Sequence, residues 1–188
     1  MNYIIRTDVF GVQPFSEHDA DNVVSWMSRS AEELFMVSSS FQYPLLKEQF
    51  IEYVRKCKPD EHRLYSVYSV ENSRHVGHFE IKAISARHKC GTAAHIILDP
   101  RQREKKLGHH LAALIAHVGF CELKLYRIGL SVHTTNAKAH ASYIRAGYVN
   151  EGIIREVLTF QDKRYSLYQM SLLQKEWEEK SHAYPVYL

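Results

Sequence analysis

Hydrophobic positions change their spacing several times along this chain, and each change marks an element. Ile4 to Pro14 mixes β-branched and aromatic residues and runs into Ser16-Glu17-His18-Asp19, the pattern of a strand ending at a helix N-cap with an acidic first turn. The helix that follows would bury Val23, Val24, Trp26 and Met27. A second start at Ser30-Ala31-Glu32-Glu33 leads to Leu34 and Phe35, and from Leu46 a third segment places Phe50, Ile51 and Val54 at i, i+1 and i+4. From Arg63 the spacing becomes that of strands: Arg63 to Val70 and His75 to Ile84 are rich in β formers, with polar Glu71 to Arg74 between them as a hairpin turn. Ala93 to Leu98 is largely apolar on both parities, as in a central strand covered on both faces, and Asp99-Pro100 ends it.

Leu107, Leu111, Leu114, Ile115 and Val118 then recur at helical spacing, predicting an amphipathic helix from about Lys106 to Cys121. Tyr126, Ile128, Leu130 and Val132 alternate with Arg127, Gly129, Ser131 and His133, a clean strand. It passes into a helix from about Asn136 to Ala146, closed by Gly147. Tyr148 to Phe160 and Arg164 to Leu173 read as two final strands around Gln161-Asp162-Lys163, and the charged tail from Gln174 as a helical end followed by a loose terminus. The count is about seven strands and four or five helices. No repeat, low-complexity tract or linker interrupts it, so residues 1–188 are read as a single domain of α/β class with a mixed sheet.

Composition narrows the setting. At 188 residues, with 45% apolar and 24% charged positions, the chain is globular and long enough to bury about 70% of its unfolded surface without a staple. Cys57, Cys90 and Cys121 are odd in number and widely spaced, which argues for a reducing compartment and against a disulfide framework or a zinc knuckle. His117 and Cys121 stand at i, i+4, but with no H-E-x-x-H or paired C-x-x-C the expectation is no metal. No signal-peptide run or apolar stretch of about 20 residues is present, so a cytoplasmic protein without a membrane span is expected. A net charge of +3 allows an anionic ligand but lacks the concentrated excess of a dedicated nucleic-acid binder.

The one basic cluster, Arg101, Arg103, Lys105 and Lys106, joins the central strand to the amphipathic helix. The free N–H groups and dipole of a helix's first turn attract anions such as a pyrophosphate, the cations add to that attraction, and Gly108 permits close backbone approach. A solvated basic turn before an ordinary helix stays equally open on this ground. A second cluster, Asn136-Ala137-Lys138-Ala139-His140-Ala141-Ser142-Tyr143-Ile144-Arg145-Ala146-Gly147-Tyr148, puts Asn136 and Tyr143 about two turns apart on one helix face.

The order of elements, the R-x-x-x-x-G segment from Arg103 to Gly108, and N-x-x-A-x-x-x-Y-x-x-x-G-Y ahead of Glu151-Gly152 resemble the GNAT superfamily of acetyl-CoA-dependent N-acyltransferases. Glu151 to Arg155 and Tyr168 to Leu173 look most like its ribosomal-protein N-terminal acetyltransferase branch. The resemblance implies a sheet splayed between the fourth strand, Ala93 to Leu98, and the fifth, Tyr126 to His133, with acetyl-CoA entering there. It implies that the main chain of Ile96, Ile97 and Leu98 pairs with pantetheine. It further implies that the N–H groups of Arg103, Glu104, Lys105, Lys106, Leu107, Gly108 and His109 hold the pyrophosphate. Asn136 would bond the cofactor arm and Tyr143 would lie beside the thioester sulfur. The family commonly forms homodimers.

One departure is Lys106, which stands where the family's phosphate loop usually has its first glycine. The expectation is that φ and ψ there are already helical, so that lysine is tolerated and adds a cation near phosphate. Acetyl transfer to an amine needs a neutral amine, a polarised carbonyl and a proton for the departing thiolate. Tyr143 is the candidate acid. Glu80, sharing strand parity with His78, is the candidate base, with His95, His133, Asp99 or plain water competing. The acceptor would be chosen by Ser30 to Lys58 and by Phe160 to Arg164, whose aromatics Phe35, Phe41, Tyr43, Phe50 and Tyr53 read first as core, with Glu32, Glu33 and Glu48 available to attract a cation. A protein N-terminus is the first expected acceptor and a small-molecule amine the second. A catalytically silent acyl-CoA sensor and a basic RNA- or ribosome-binding module are the alternatives.

Overall fold

Two hydrophobic faces of one sheet, each covered by helices, organise the computed structural model, which describes residues 2–103 and 105–187. Its strands are β1 (Ile5–Thr7), β2 (Phe10–Pro14), β3 (His62–Ser69), β4 (His75–Ser85), β5 (Cys90–Leu98), β6 (Arg127–His133), β7 (Val149–Phe160), β8 (Lys163–Leu173) and β9 (Val186–Tyr187). They lie in the order β7-β8-β6-β5-β4-β3-β2-β1-β9, antiparallel except for the β5–β6 pair. The helices are α1 (Ala20–Met27), α2 (Ala31–Val37), α3 (Lys47–Lys56), the single turn α4 (Pro100–Arg103), α5 (Gly108–His117), α6 (Ala137–Ala146) and α7 (Gln174–Lys180).

On one face, Leu111, Leu114 and Ile115 of α5 pack with Ile128, Leu130, Met170 and Leu172 of the sheet, and Tyr143 and Ala146 of α6 join the same core. On the other, Val23, Trp26 and Met27 of α1 meet Leu34 of α2, Phe50 and Ile51 of α3, and Ile97 of β5. The strand alternation explains how β5 serves both: Ile97 belongs to the α1–α3 core, while half-buried Ile96 packs against the α5 core. Ends are set locally. The Ser30 hydroxyl accepts from Glu33 N–H at 3.1 Å to start α2, and Gly147, at φ 105, closes α6 in the left-handed region.

The parallel β5–β6 pairing covers only Cys90↔Arg127, Gly91↔Ile128 and Thr92↔Gly129. Beyond it β5 stays with β4 as far as Leu98↔Gly77, and β6 stays with β8 as far as His133↔Leu167, so the two strands part and leave an open fork. A bulge accompanies the parting. His78 and Glu80, two apart on β4, face Ile97 and Ala94, three apart on β5, and the inserted stretch holds His95 at φ 45. An extra residue of this kind bends its strand and increases the local twist. The mixed sheet splayed between the strands at Ala93–Leu98 and Tyr126–His133 is thus as expected.

The element count differs from the sequence expectation at both ends. Ile4 to Pro14 is two strands, because the Thr7 hydroxyl accepts from Val9 N–H at 3.3 Å and Phe10 N–H at 3.0 Å and turns the chain back. The terminus is not loose. α7 buries Trp177, and Val186 and Tyr187 pair with Thr7 and Arg6 as a ninth strand. The helix expected from Lys106 begins at Gly108 and ends in a wider turn over Val118–Glu122. Among the described residues no helix is long and apolar enough to cross a membrane.

Candidate active site

The donor side of the fork is built from β5 and the start of α5. The side chains of Ile96 and Ile97 are consumed by the two cores, which leaves main chain to line the opening from Ala93 to Leu98, unpaired with β6. Arg103 Nε donates to the Leu98 carbonyl at 3.1 Å, folding the loop over the end of the strand. Asp99, a competitor for the base, is committed elsewhere: it accepts from Arg101 N–H at 2.9 Å and from its guanidinium at 2.6 Å. Burial would raise its carboxyl, but those Arg101 bonds hold it below the usual range. Glu104 lies outside the described residues.

Lys106 corrects an expectation. Its φ is 57, left-handed and not right-handed helical, because the chain must turn between the end of α4 and a helix that starts two residues later. A side chain in that region costs about 1–2 kcal/mol relative to glycine. Lys105 and Lys106 are exposed and Leu107 precedes α5 without a side-chain cap, so the N–H groups of Gly108 and His109 meet no side-chain acceptor among the described residues, while His110 N–H turns back to the Leu107 carbonyl at 3.0 Å. Gly108 is needed for close approach, but to α6: a Cβ there would stand 2.6 Å from Ser142 Oγ. His109 is buried, and burial together with the nearby Arg145 charge lowers it from the ordinary histidine value.

On α6 the Asn136 Oδ1 accepts from Ala139 N–H at 3.1 Å, so this residue caps the helix and retains only its Nδ2 for a ligand. Tyr143, seven residues on, is buried, and desolvation raises its hydroxyl above the ordinary tyrosine value. Its ring lies 5.8 Å from that of Tyr148, whose buried hydroxyl has no partner among the described residues. An uncapped helix end with cations beside it, unpaired strand main chain and an orphaned hydroxyl next to Tyr143 fit a phosphate-bearing ligand with an extended polar arm.

The acceptor side centres on Glu80, on the α1–α3 face. Its carboxylate is fully buried and accepts four hydrogen bonds: Oε1 from His95 Nδ1 at 2.9 Å and His78 Nε2 at 3.3 Å, Oε2 from His62 Nε2 at 2.7 Å and the Tyr53 hydroxyl at 2.6 Å. Burial alone would raise this carboxyl, yet the bonds from His62, His78 and His95 outweigh it and hold it well below the ordinary value. The sequence singled out Glu80 and His78 by parity but missed Tyr53 and His62 as their partners. Tyr53 stands in the sequence only as one of the aromatics of Ser30 to Lys58, and His62 carries no local signal because its β3 register decides whom it meets. The Cys57 thiol nearby is pushed up to about 11, by burial and then by the Glu80 charge, which leaves it protonated at neutral pH.

Phe35 of α2 stacks on Phe160 at 4.7 Å and meets His133 and Tyr165 at 5.1 Å, so α2 and the β7–β8 hairpin close over the far end of β6. His133 is half of that contact, and burial lowers it from the ordinary histidine value. Phe41 lies 5.4 Å from His95 and 5.0 Å from Tyr53. Glu80 and Tyr143 occupy opposite faces of the sheet and do not touch.

A family model described as the acetyltransferase (GNAT) family matches residues 23–148. The spermidine N-acetyltransferase of Vibrio cholerae, solved with CoA and spermine, aligns at a TM-score of 0.78 and 20% identity, covering 90% of this chain and 98% of that one. A mutant form of the same enzyme aligns at a TM-score of 0.75 and 20% identity, covering 92% and 98%. At this identity the structural matches concern the fold, and the ribosomal-protein branch is not what they bring forward.

Proposed function

Because the chain belongs to the acetyltransferase (GNAT) family, we propose that it moves the acetyl group of acetyl-CoA directly to a primary amine presented at the fork between β5 and β6. The observation that carries this reading is the fork itself, with strand main chain unpaired on one side and the uncapped, cation-flanked start of α5 at its end. In it, main chain of Ile96 to Leu98 pairs with the pantetheine arm. N–H groups from Arg103 to His109 and the Asn136 amide hold the phosphates and arm. Tyr143 protonates the departing thiolate, for which a raised hydroxyl is suited as a donor and not as an anion. Alignment of amine and thioester supplies much of the rate.

The acceptor wall favours an amine with an apolar or aromatic neighbour, such as a protein N-terminus. Phe35 packs with His133, Phe160 and Tyr165 beside the far end of β6, Phe41 packs on His95, and the buried carboxylate, Glu80, is already saturated with donors. Glu33, on the adjoining helix, lies 3.6 Å from Arg29 and 3.9 Å from Arg103. A polyamine is the second reading, supported by likeness to enzymes that carry spermidine N-acetyltransferase as their name and by the Glu33 Oε2, which accepts no hydrogen bond among the described residues. Calorimetry with acetyl-CoA, then thiol release with alanine- and serine-initiated peptides, spermidine and spermine, tests both readings. Turnover of the peptides above the polyamines is the expected result, and heat of binding without thiol release from any amine would support a silent sensor. RNA retention without acetyl-CoA binding would support the nucleic-acid alternative.

A further inference from the structure

We infer that His95, not Glu80, takes the proton from the incoming amine, and that Glu80 acts as a positioning residue that fixes the imidazole in the Nδ1–H tautomer with its Nε2 lone pair toward the fork. This deepens the transferase reading above and rests on it. An ionised carboxylate only accepts hydrogen bonds, so each group touching Glu80 must bring the hydrogen. His78 and His62 therefore carry theirs on Nε2 and His95 on Nδ1. For His78 the remaining nitrogen, Nδ1, is buried and unpartnered. For His95 the remaining nitrogen is Nε2, which bonds none of the described residues, in a side chain 4% exposed.

Position supports the same assignment. His95 sits at the bulge itself, between Thr92, where β5 last pairs with β6, and Ile96 to Leu98, whose main chain the donor arm is proposed to use. Its positive φ is a strained conformation for a non-glycine residue, of a kind that persists where the surrounding structure enforces it. Glu80, by contrast, has all of its acceptor capacity engaged and no surface exposed. Of the other competitors, Asp99 is committed to Arg101, and His133 lies against the Phe35 and Tyr165 rings with its Nδ1 buried and no carboxylate among the described residues to fix its tautomer. The titratable groups facing the His95 imidazole are Glu80 and His78 of β4 and Tyr53 of α3, with His62 of β3 reached through the carboxylate.

The proton balance is complete. An ammonium R–NH3+ gives one proton to His95 Nε2, the amine nitrogen forms the C–N bond as the C–S bond breaks, and its second proton replaces the one that Tyr143 gives to sulfur. His95 returns its proton to solvent, so acetyl-CoA and R–NH3+ yield the amide, CoASH and one H+.

The test uses H95N, since asparagine tolerates a positive φ, together with E80Q. Thiol release is followed from pH 5.5 to 9 with whichever peptide or polyamine the wild type turns over best, acetyl-CoA affinity by calorimetry, and the imidazole tautomers of the free protein by long-range 15N–1H NMR. H95N is expected to lose roughly a hundredfold or more of kcat and the acidic limb of the profile, with acetyl-CoA affinity retained. E80Q is expected to lower kcat and to show mixed His95 tautomers, because no carboxylate then holds the hydrogen on Nδ1. Should E80Q not fold, H95N and the wild-type spectrum still decide. An Nε2–H tautomer at His95 in the wild type, or H95N with an unchanged rate and limb, overturns the inference alone. No thiol release by the wild type with any amine overturns the transferase reading, and the inference with it.

Discussion

Replacing Lys106 by glycine and, separately, by alanine isolates the backbone strain in the phosphate loop. Both changes remove the same ammonium, which is exposed and forms no ion pair among the described residues. They differ in how the new residue tolerates φ 57. A Cβ in that conformation costs about 1–2 kcal/mol, while glycine loses about 0.5–1 kcal/mol more backbone entropy on folding. Glycine should therefore be more stable than alanine by about 1 kcal/mol, which for a chain of this length separates their melting temperatures by about 2–4 °C. Lysine should melt close to alanine. Affinity for acetyl-CoA carries the opposite sign: a lost cation near a phosphate costs up to about 1 kcal/mol at low ionic strength, or roughly fivefold, and this loss fades as salt rises. Differential scanning calorimetry of the three proteins and titration with acetyl-CoA at two salt concentrations measure both. If K106A melts at or above K106G, the left-handed turn between α4 and α5 is not what the chain adopts, and the strain argument fails.

Y143F should lower turnover while leaving acetyl-CoA affinity little changed, as read by thiol release and calorimetry; unchanged turnover removes Tyr143 from the acid role. G108A should cost about 1 kcal/mol by pressing a methyl group against Ser142 Oγ, 2.6 Å away, and pairing it with S142A should restore most of that in a melting assay. Glu80 should make the protein acid-sensitive. A carboxyl held well below its ordinary 4.5 contributes stability that is fully present above about pH 4.5 and is lost as pH falls through the lowered value. Urea unfolding from pH 6 to pH 3 should show a steeper fall for the wild type than for E80Q, and parallel curves would refute the assignment.

What the sequence made legible is what repeats or alternates. The stripes of α1, α3 and α5, the alternation of β6 and the doubly apolar β5 each follow from local spacing, and the stop signals Asp99-Pro100 and Gly147 lie where elements end. The N-terminal hairpin was illegible because its turn is made by a threonine hydroxyl, with no glycine or asparagine to announce it. The C-terminal strand was illegible because two residues have no period, and Val186 and Tyr187 become a strand only by meeting β1 from the far end of the chain. Lys106 misled for a different reason: a lysine in a left-handed turn contradicts its own propensity, and only the short distance between two helices imposes it. At the site, Glu80, Tyr143 and Asn136 were picked out as single residues. The four-donor shell around Glu80 was not, since it assembles side chains from α3, β3, β4 and β5 whose meeting depends on register.

The bulge at His95 ties these observations together. One residue inserted in β5 against β4 changes the course of the strand just after its last pairing with β6, and that change leaves main chain facing an opening. The same insertion gives His95 a backbone conformation whose side chain reaches a carboxylate on the neighbouring strand at 2.9 Å. An unpaired strand edge is normally a liability, and a buried carboxylate normally costs several kcal/mol unless its acceptors are filled. Here the two costs are met at one place, the edge by an opening suited to an extended polar ligand and the carboxylate by three imidazoles and a phenol. A sequence that kept Glu80 but lost the bulge would retain a buried charge short of one donor and a sheet with no fork, so fold stability and the site depend on the same residue.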